Sequence, residues 1–156
     1  MHILLMRHGD AVDQMVDQAR PLSEVGIRQV ERVCEYLDSK SLEIQTIYHS
    51  QKTRALQTAG IVASYFNMIE KLKYSSTLDP DMDADKFIDE LVYVQENTLF
   101  VGHLPTIQII LHQLLESSSE AIPPIYFEPA TVVILEKRNN ERWRLAGFFN
   151  PDKPEI

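Results

Sequence analysis

The fold class is decided by residues 98–115, which read TLFVGHLPTIQIILHQLL. The run at 98–102 is short and strongly apolar, which predicts a buried β-strand. Pro105 stands where the first residue of a helix would, because its missing N–H costs nothing there. The apolar residues that follow recur at helical spacing and predict a buried helix face: Ile107, Ile110, Leu111, Leu114 and Leu115.

The alternation of strand and helix continues on the N-terminal side of this stretch. The runs at 2–6 and 45–49 predict two more short strands. Ser23 predicts a helix start, and it is followed at helical spacing by Ile27, Val30, Cys34 and Leu37. A second apolar stripe comprises Ala55, Ala59, Val62, Ala63 and Phe66. After an acidic loop at 79–85, a third comprises Phe87, Ile88, Leu91 and Val92.

The C-terminal side predicts two closing strands. A loop rich in serine and proline covers 117–129, with Pro123-Pro124 at its centre. Strands are predicted at 131–136 and 143–149, joined by a turn at Asn139-Asn140. Strands that alternate with helices predict an α/β fold, a three-layer sandwich with a mostly parallel central sheet and an antiparallel addition near the C-terminus.

Composition bounds the class of protein. A chain of 156 residues fits one domain, which we expect over 1–150, followed by an extended, mobile tail over 151–156. The net charge of −8 argues against a nucleic-acid partner, since phosphate backbones need clustered Lys and Arg. No run approaches the ~20 apolar residues of a membrane span, and the apolar stretch before Arg7 is too short for a signal peptide. The single cysteine, Cys34, excludes a disulfide framework, so we expect a cytoplasmic protein.

Charged and imidazole side chains follow three of the predicted strands. Arg7-His8-Gly9 follows the strand at 2–6, Arg54 begins the helix after the second strand, and Gly102-His103 follows the strand at 98–102. The carboxyl ends of parallel strands meet at one edge of an open α/β sheet, where ligands bind. Two arginines and two histidines are therefore expected to converge there, beside helix N-termini that attract anions.

That set of side chains suits phosphoryl transfer. A neutral imidazole such as that of His8 is a good nucleophile near pH 7, because its pKa is ordinarily ~6.5. An arginine guanidinium presents a rigid fork to two phosphoryl oxygens. Gly9 would let the backbone pass close to the phosphate. Taken singly, His103 could be a structural histidine and Arg54 a surface residue, so their joint placement carries the prediction.

Three segments together resemble the signature of the histidine phosphatase superfamily. They read LMRHGDA at 5–11, TRALQTA at 53–59 and VGHLP at 101–105. The closer resemblance is to the short SixA-type phosphohistidine phosphatases of that superfamily. Those also carry an Arg-Pro-Leu segment, here at 20–22, and a Pro-Pro loop, here at 123–124. The resemblance covers nearly the whole chain.

The resemblance implies that His8 is the nucleophile and that Arg7, Arg54 and His103 form the phosphate pocket. It implies a phosphohistidine protein phosphatase with a covalent phospho-His8 intermediate that water hydrolyses. Neither a metal nor another cofactor is needed, because arginines supply the positive charge. The expected partner is a phosphohistidine-bearing protein such as a phosphorelay or phosphotransfer carrier. One departure is local: the family often has Ser-Pro after the second strand, where this chain has Ser50-Gln51.

The region before the third helix lacks the glutamate with which mutase-like and small-molecule members of the family protonate an alcohol leaving group. Its four aspartates are interpreted as a solvated acidic loop: Asp79, Asp81, Asp83 and Asp85. Phosphohistidine fits that absence, because imidazole can leave as a neutral group whose conjugate acid has a pKa of only ~6.5. The chain is also too short for the segments that larger members insert over the site, so an open site that admits a protein is expected.

Other candidate residues are weaker. Cys34 lies on an apolar helical stripe and is followed by no arginine at the spacing of a phosphate loop, so we interpret it as core. His2, His8 and Asp10 are too scattered to make a good metal site. His112 falls on the polar side of its helix, where we expect it to be solvated.

The roles of His49 and Arg20 stay open, and so do two alternative functions. His49 lies beside the proposed cleft and could line it, although a structural role is favoured. Arg20 could extend the anion pocket or pair with Asp10 or Asp13. The other functions are hydrolysis of small phosphate monoesters through the same His8, and a catalytically silent phosphate-binding module. The intact pair of histidines argues against the second, because arginines alone could bind phosphate.

Overall fold

The computed structural model describes residues 1–116, 123–139 and 141–154, which form six strands and four α-helices. The strands are β1 (His2–Arg7), β2 (Thr46–His49), β3 (Leu72–Tyr74), β4 (Thr98–Gly102), β5 (Val132–Glu136) and β6 (Arg144–Phe149). The helices are α1 (Glu24–Ser39), α2 (Thr53–Tyr65), α3 (Ala84–Leu91) and α4 (Thr106–Leu115). Short 3-10 turns at Ile69–Lys71 and Ser76–Leu78 flank β3.

The six described strands form one sheet in the order β3-β2-β4-β1-β5-β6. The first four of these run parallel, whereas β5 pairs antiparallel with β1, and β6 antiparallel with β5. The predicted α/β class, with a mostly parallel sheet and an antiparallel addition near the C-terminus, is confirmed. Because β4 lies between β1 and β2, the residues that follow these three strands are neighbours at one edge of the sheet.

Helices cover both faces of the sheet and complete the three layers. On β1, Leu4 and Met6 belong to the core cluster shared with α1 and α2. Ile3 and Leu5 belong to the cluster on the opposite face, shared with α3 and α4. A strand buried on both faces has a continuous apolar run rather than an alternating pattern, which is how residues 3–6 read.

The predicted helix starts hold to within one residue. Ser23 caps α1 as predicted, and its Oγ accepts the N–H of Gly26 at 3.0 Å. Pro105 precedes α4 instead of being its first residue, since the helix begins at Thr106. The Pro105 carbonyl accepts the N–H of Ile109 at 3.1 Å, which is the bond that defines a capping position.

Three details of the apolar pattern are wrong. Ile27 is exposed rather than part of the buried stripe of α1, because Gly26 occupies the place that packs on the loop after β1. Val92 lies beyond the end of α3 and is exposed. The short edge strand β3 is not predicted, since three residues that are mostly exposed leave no apolar run to find.

The segment after β6 returns to α1. The Nε2 of Gln29 donates to Oδ2 of Asp152 at 2.8 Å, and Arg32 forms a 3.6 Å ion pair with the same carboxylate. Pro151 and Asp152 form a turn, closed by the Lys153 N–H donating to the Asn150 carbonyl oxygen at 3.0 Å, and these contacts dock it on α1. The sequence predicts an extended tail here instead. The division of the chain at residue 150 stays a prediction.

Parts of two predicted loops lie outside the described residues. Residues 117–122 of the predicted Ser/Pro loop and Asn140 of the predicted turn lie outside the described residues. Pro123 and Pro124 are exposed.

Among the described helices, none is long and apolar enough to cross a membrane. The cytoplasmic location stays a prediction.

Candidate active site

The ends of β1, β4 and β2 bring the predicted site residues together. Arg7 ends β1 and is followed by His8, while His103 follows β4 and Ser50 follows β2. The imidazole centroids of His8 and His103 are 5.1 Å apart. Nε2 of His103 lies 2.6 Å from the Ser50 hydroxyl oxygen. Arg54, in the first turn of α2, is close enough for its charge to lower the pKa of both histidines.

His8 is a buried imidazole whose tautomer is set by the backbone. It is 8% exposed, and its Nδ1 donates to the Gly9 carbonyl oxygen at 2.7 Å. A carbonyl can only accept, so the ring proton is on Nδ1 and the lone pair on Nε2. Burial lowers the pKa of His8 to about 4, assisted by the charges of Arg54, Arg7 and Arg20. His8 is therefore neutral at pH 7 and nucleophilic at Nε2.

His103 is held as a second neutral imidazole. Burial, followed by the neighbouring His8 and Arg54, lowers its pKa to about 3. The Ser50 hydroxyl that contacts it is fully buried. In the sequence analysis, Ser50 is noted only because it precedes Gln51, where this chain departs from the Ser-Pro that the family often has. The serine that the family often has at this place was the signal that could have identified it.

Two guanidinium groups at the site keep unpaired donors. Nη1 of Arg7 donates to the Phe127 carbonyl oxygen at 2.9 Å. The Nε atoms of Arg7 and Arg54 are buried and have no hydrogen-bond partner among the residues that the structure describes. A buried donor without an acceptor is costly, so these two N–H groups suit the oxygens of an anion. Burial lowers the pKa of both side chains, but an arginine stays protonated near pH 7.

Arg20 also belongs to this cluster of charges. Its Nε donates to the Val12 carbonyl oxygen at 3.2 Å, and its backbone is left-handed, with φ of 49°. Its charge lowers the pKa of three site residues: His8, Arg7 and Arg54. Within the described part of the chain, no ion pair joins Arg20 to Asp10 or Asp13. A role for Arg20 in anion binding stays a prediction.

Helix packing gives Gly9 a structural reason to be a glycine, while its approach to phosphate stays a prediction. A Cβ on Gly9 would lie 2.9 Å from the Gly26 carbonyl oxygen and 3.1 Å from Cγ2 of Val30, both in α1. The Gly9 N–H donates to Oγ1 of Thr58 at 3.0 Å, so it is already engaged. The missing side chain therefore lets α1 approach the loop that carries His8.

Thr58 is a second residue that sequence reasoning missed. Its buried hydroxyl accepts the Gly9 N–H and donates to the Arg54 carbonyl oxygen at 2.8 Å. One hydroxyl thus joins the loop after β1 to the first turn of α2. It lies in the TRALQTA segment, but a threonine on a helix shows no pattern that would reveal the contact.

Asp79 is the member of the acidic loop whose charge reaches the site, where it raises the pKa of His103. Both of its carboxylate oxygens are engaged. Oδ1 accepts the Gln51 N–H at 2.8 Å, and Oδ2 accepts the Tyr74 hydroxyl at 2.5 Å. A proline at position 51 would have no N–H to donate, so the change from Ser-Pro to Ser50-Gln51 ties the acidic loop to the start of α2.

The remaining candidates are structural or exposed. Cys34 is fully buried in the core, and burial raises the pKa of its thiol to about 12. His2 begins β1, at the end of the strand away from the site. Nδ1 of His49 donates to the Ser50 carbonyl oxygen at 2.7 Å, and His112 is exposed on α4. Across residues 1–116, 123–139 and 141–154, no group of three or more His, Cys, Asp or Glu side chains could hold a metal ion.

Comparison with known families identifies the class of protein. Residues 3–80, half of the chain, match the sequence model of the histidine phosphatase superfamily (branch 1). The matched part contains Arg7, His8 and Arg54. The chain therefore belongs to the histidine phosphatase superfamily, and it is a phosphatase of the histidine-phosphatase type.

Individual relatives are similar along almost the whole chain. Phosphohistidine phosphatase SixA from Escherichia coli (strain K12) is 27% identical over 96% of this chain and 91% of that protein. Human serine/threonine-protein phosphatase PGAM5, mitochondrial, is 25% identical over 97% of this chain, which spans 65% of that protein. A solved structure of the protein histidine phosphatase SixA complexed with tungstate has a TM-score of 0.83 at 24% identity. That match covers 99% of this chain and 100% of the other, and it confirms the fold.

Proposed function

We propose that this protein is a phosphohistidine protein phosphatase that works through a covalent phospho-His8 intermediate. The observation that carries the proposal is the hydrogen bond from Nδ1 of His8 to the Gly9 carbonyl oxygen. It leaves a lone pair on Nε2 of a buried, neutral ring. Arg7 and Arg54 stand beside that ring, and their Nε donors have no partner in the described part of the chain.

In the first step, Nε2 of His8 attacks the phosphorus of a substrate phosphohistidine. A P–N bond to His8 forms while the P–N bond to the substrate imidazole breaks, and that imidazole leaves with the electron pair. Arg7 and Arg54 stabilise the charge that develops on the equatorial phosphoryl oxygens. When the other nitrogen of the leaving imidazole is protonated, the imidazole departs neutral and needs no proton donor.

In the second step, water hydrolyses the intermediate. The water oxygen attacks phosphorus, the bond from phosphorus to Nε2 breaks, and inorganic phosphate is released together with the proton from water. His8 regains its lone pair, and its low pKa keeps it unprotonated for the next cycle. Arginines supply all the positive charge, so activity is expected to persist after treatment with EDTA.

Among the residues that the structure describes, the lack of a free proton donor in the acidic loop favours phosphohistidine over an alcohol ester. Asp79 is the loop aspartate that reaches the site, and both of its oxygens are held by other groups. An alcohol is a poor leaving group without protonation, whereas neutral imidazole is a good one. The similar E. coli protein is itself named a phosphohistidine phosphatase.

The rim of the site suits a protein substrate. Leu104, next to His103, is exposed, and so are Met15 and Val16 on the loop that leads to Arg20. An open cleft of about 340 Å³ separates that loop from the start of α2. Exposed apolar side chains around a charged recess are typical of a surface that binds another protein. We propose a phosphorelay or phosphotransfer carrier as the partner.

Release of phosphate from a matched panel of substrates tests this function. A phosphohistidine carrier protein should have the highest kcat/KM, aryl phosphates an intermediate value, and a phosphoserine protein or sugar phosphate the lowest. Asp79→Asn should change phosphohistidine hydrolysis little, as should the control Asp81→Asn on the same loop. A sugar phosphate as the best substrate, together with loss of that activity in Asp79→Asn, would identify a small-molecule phosphatase instead.

A further inference from the structure

The fully buried hydroxyl of Ser50 contacts two polar groups. Its Oγ lies 2.6 Å from Nε2 of His103, and the Lys52 N–H approaches the same oxygen at 3.3 Å. These are its hydrogen bonds within the described part of the chain. Of these two partners only His103 belongs to the pair of site histidines, so Ser50 contacts the site through His103 rather than through His8.

The donors and acceptors of this small network can be assigned by counting protons. The Lys52 amide can only donate, so Oγ of Ser50 accepts there. If Nε2 of His103 also donated, the Ser50 proton would have no acceptor among the described residues. If Ser50 donates to Nε2, every group is satisfied, as buried polar groups normally are. The chain of bonds therefore runs from the Lys52 N–H to Ser50 and from Ser50 to His103.

This direction determines which atom His103 offers to a ligand. A neutral imidazole carries one proton, and Nε2 is the acceptor of the Ser50 bond, so the proton is on Nδ1. His8 has the same tautomer but uses it differently, because its Nδ1 is engaged by Gly9 and its Nε2 carries the lone pair. One ring then presents a nucleophile and the other presents an N–H donor.

We propose that Ser50 is a positioning residue that holds His103 in its Nδ1–H tautomer, so that this N–H donates to a phosphoryl oxygen during transfer. The role rests on the proposed phosphatase reaction at His8. In the other tautomer, Nδ1 would turn a lone pair toward an anionic oxygen. The result would be repulsion where the transition state needs a donor.

The tautomer can be read directly in solution. In protein labelled with 15N-histidine, the two-bond 15N–1H correlation spectrum should show His103 protonated at Nδ1 and unprotonated at Nε2 at pH 7. Ser50→Ala should shift the ring toward the Nε2–H form, and Ser50→Thr, which keeps the hydroxyl, should restore the Nδ1–H form. A wild-type His103 protonated at Nε2 would overturn the proposal, whether or not any variant folds.

Turnover of an aryl phosphate provides the second measurement. Ser50→Ala should lower kcat about 10- to 100-fold, with a smaller change in KM, because a buried donor-acceptor pair is lost. Ser50→Thr should recover most of kcat, and Ser64→Ala, on the exposed side of α2, should leave it unchanged. An unchanged kcat in folded Ser50→Ala would contradict the role. Since the spectrum needs no substrate, failure of the phosphohistidine assignment would not obscure the result.

Discussion

His8 and His103 lie side by side and are held by different kinds of partner. A backbone carbonyl fixes the proton of His8, whereas a serine hydroxyl contacts His103. Burial is the main cause that keeps both rings neutral, and the charge of Arg54 lowers the pKa of each of them further. A neutral pair surrounded by arginines attracts a dianionic phosphoryl group without adding a proton that would remove the nucleophile.

Mutation of Arg54 should separate the contribution of the planar guanidinium group from that of positive charge alone. Arg54→Ala is expected to lower kcat/KM by a factor that corresponds to ~2.7–4 kcal/mol, as for a lost oxyanion donor. Arg54→Lys keeps the charge but not the planar fork, so its loss should be smaller yet still large. Steady-state kinetics on an aryl phosphate measure both variants.

Arg28 provides the matched control for this test. It is an exposed arginine on α1, and Arg28→Ala should leave kcat/KM unchanged. Full activity in Arg54→Lys would mean that charge alone matters at this position. Equal damage from Arg28→Ala would show that the assay reports stability rather than phosphoryl transfer.

At the residue scale, sequence reasoning works where chemistry depends on residue type and strand ends. Arg7, His8 and His103 directly follow predicted strands, and charged and imidazole side chains rarely combine at such places. The structure brings the three residues together. Ser50 and Thr58 escape notice because a hydroxyl becomes informative only when its partner is known. The informative partners, Gly9 for Thr58 and His103 for Ser50, come from distant segments and are set by tertiary packing.

At the scale of elements, the start of α1 is packed unusually closely on the loop after β1. A Cβ on Gly26 would lie only 2.0 Å from the Asp10 carbonyl oxygen, a backbone atom that cannot yield locally. Asp10 follows Gly9, whose carbonyl orients His8. Close packing at Gly26 therefore connects the position of a helix to the position of the nucleophile.

Two glycine-to-alanine changes in helices test this packing. Gly26→Ala should lower the free energy of unfolding by ~1–3 kcal/mol, as overpacking does, and should also lower turnover. Gly60→Ala in α2, where a Cβ would meet nothing within 4 Å, should instead stabilise the protein by ~0.8–1 kcal/mol. Urea denaturation with parallel activity assays measures both effects. Equal stability changes of the two variants would contradict the packing assigned to Gly26.

Elements with a continuous apolar pattern could be predicted, and elements without one could not. The strand at 98–102 and the apolar face of the helix at 106–115 are buried in the structure, as their apolar patterns predict. β3 pairs with β2 through only three residues at the edge of the sheet, so its register reflects neighbours rather than its own sequence. The docking of the turn at Pro151 and Asp152 depends in the same way on contacts with α1.

At the scale of the whole molecule, the two buried histidines make stability depend on pH. The pKa of His8 is about 4 and that of His103 about 3 in the folded protein, against ~6.5 in an unfolded chain. Below pH 6.5 the unfolded chain therefore binds protons that the folded chain does not. The free energy of unfolding should fall as the pH decreases, by up to about 1.4 kcal/mol per pH unit for each histidine.

Urea denaturation at pH 7, 6 and 5 measures this dependence. The double variant His8→Asn with His103→Asn should show a flatter decline than the wild type, because neither position can then bind a proton. His112→Asn, at an exposed position on α4, should decline like the wild type. A double variant as sensitive to pH as the wild type would show that the folded histidines are protonated at their ordinary pKa.

The covalent intermediate on His8 tests the central claim most directly. A 32P-labelled phosphohistidine carrier protein is mixed with the enzyme, quenched in alkali within the first turnover and digested for mass spectrometry. Phosphorus-31 NMR of the isolated phosphoprotein then identifies the linked nitrogen. We expect one acid-labile phosphoryl group on Nε2 of His8, and neither label nor turnover in folded His8→Asn. Label on Nδ1 or on another residue, or full turnover in the folded His8→Asn protein, would contradict the mechanism.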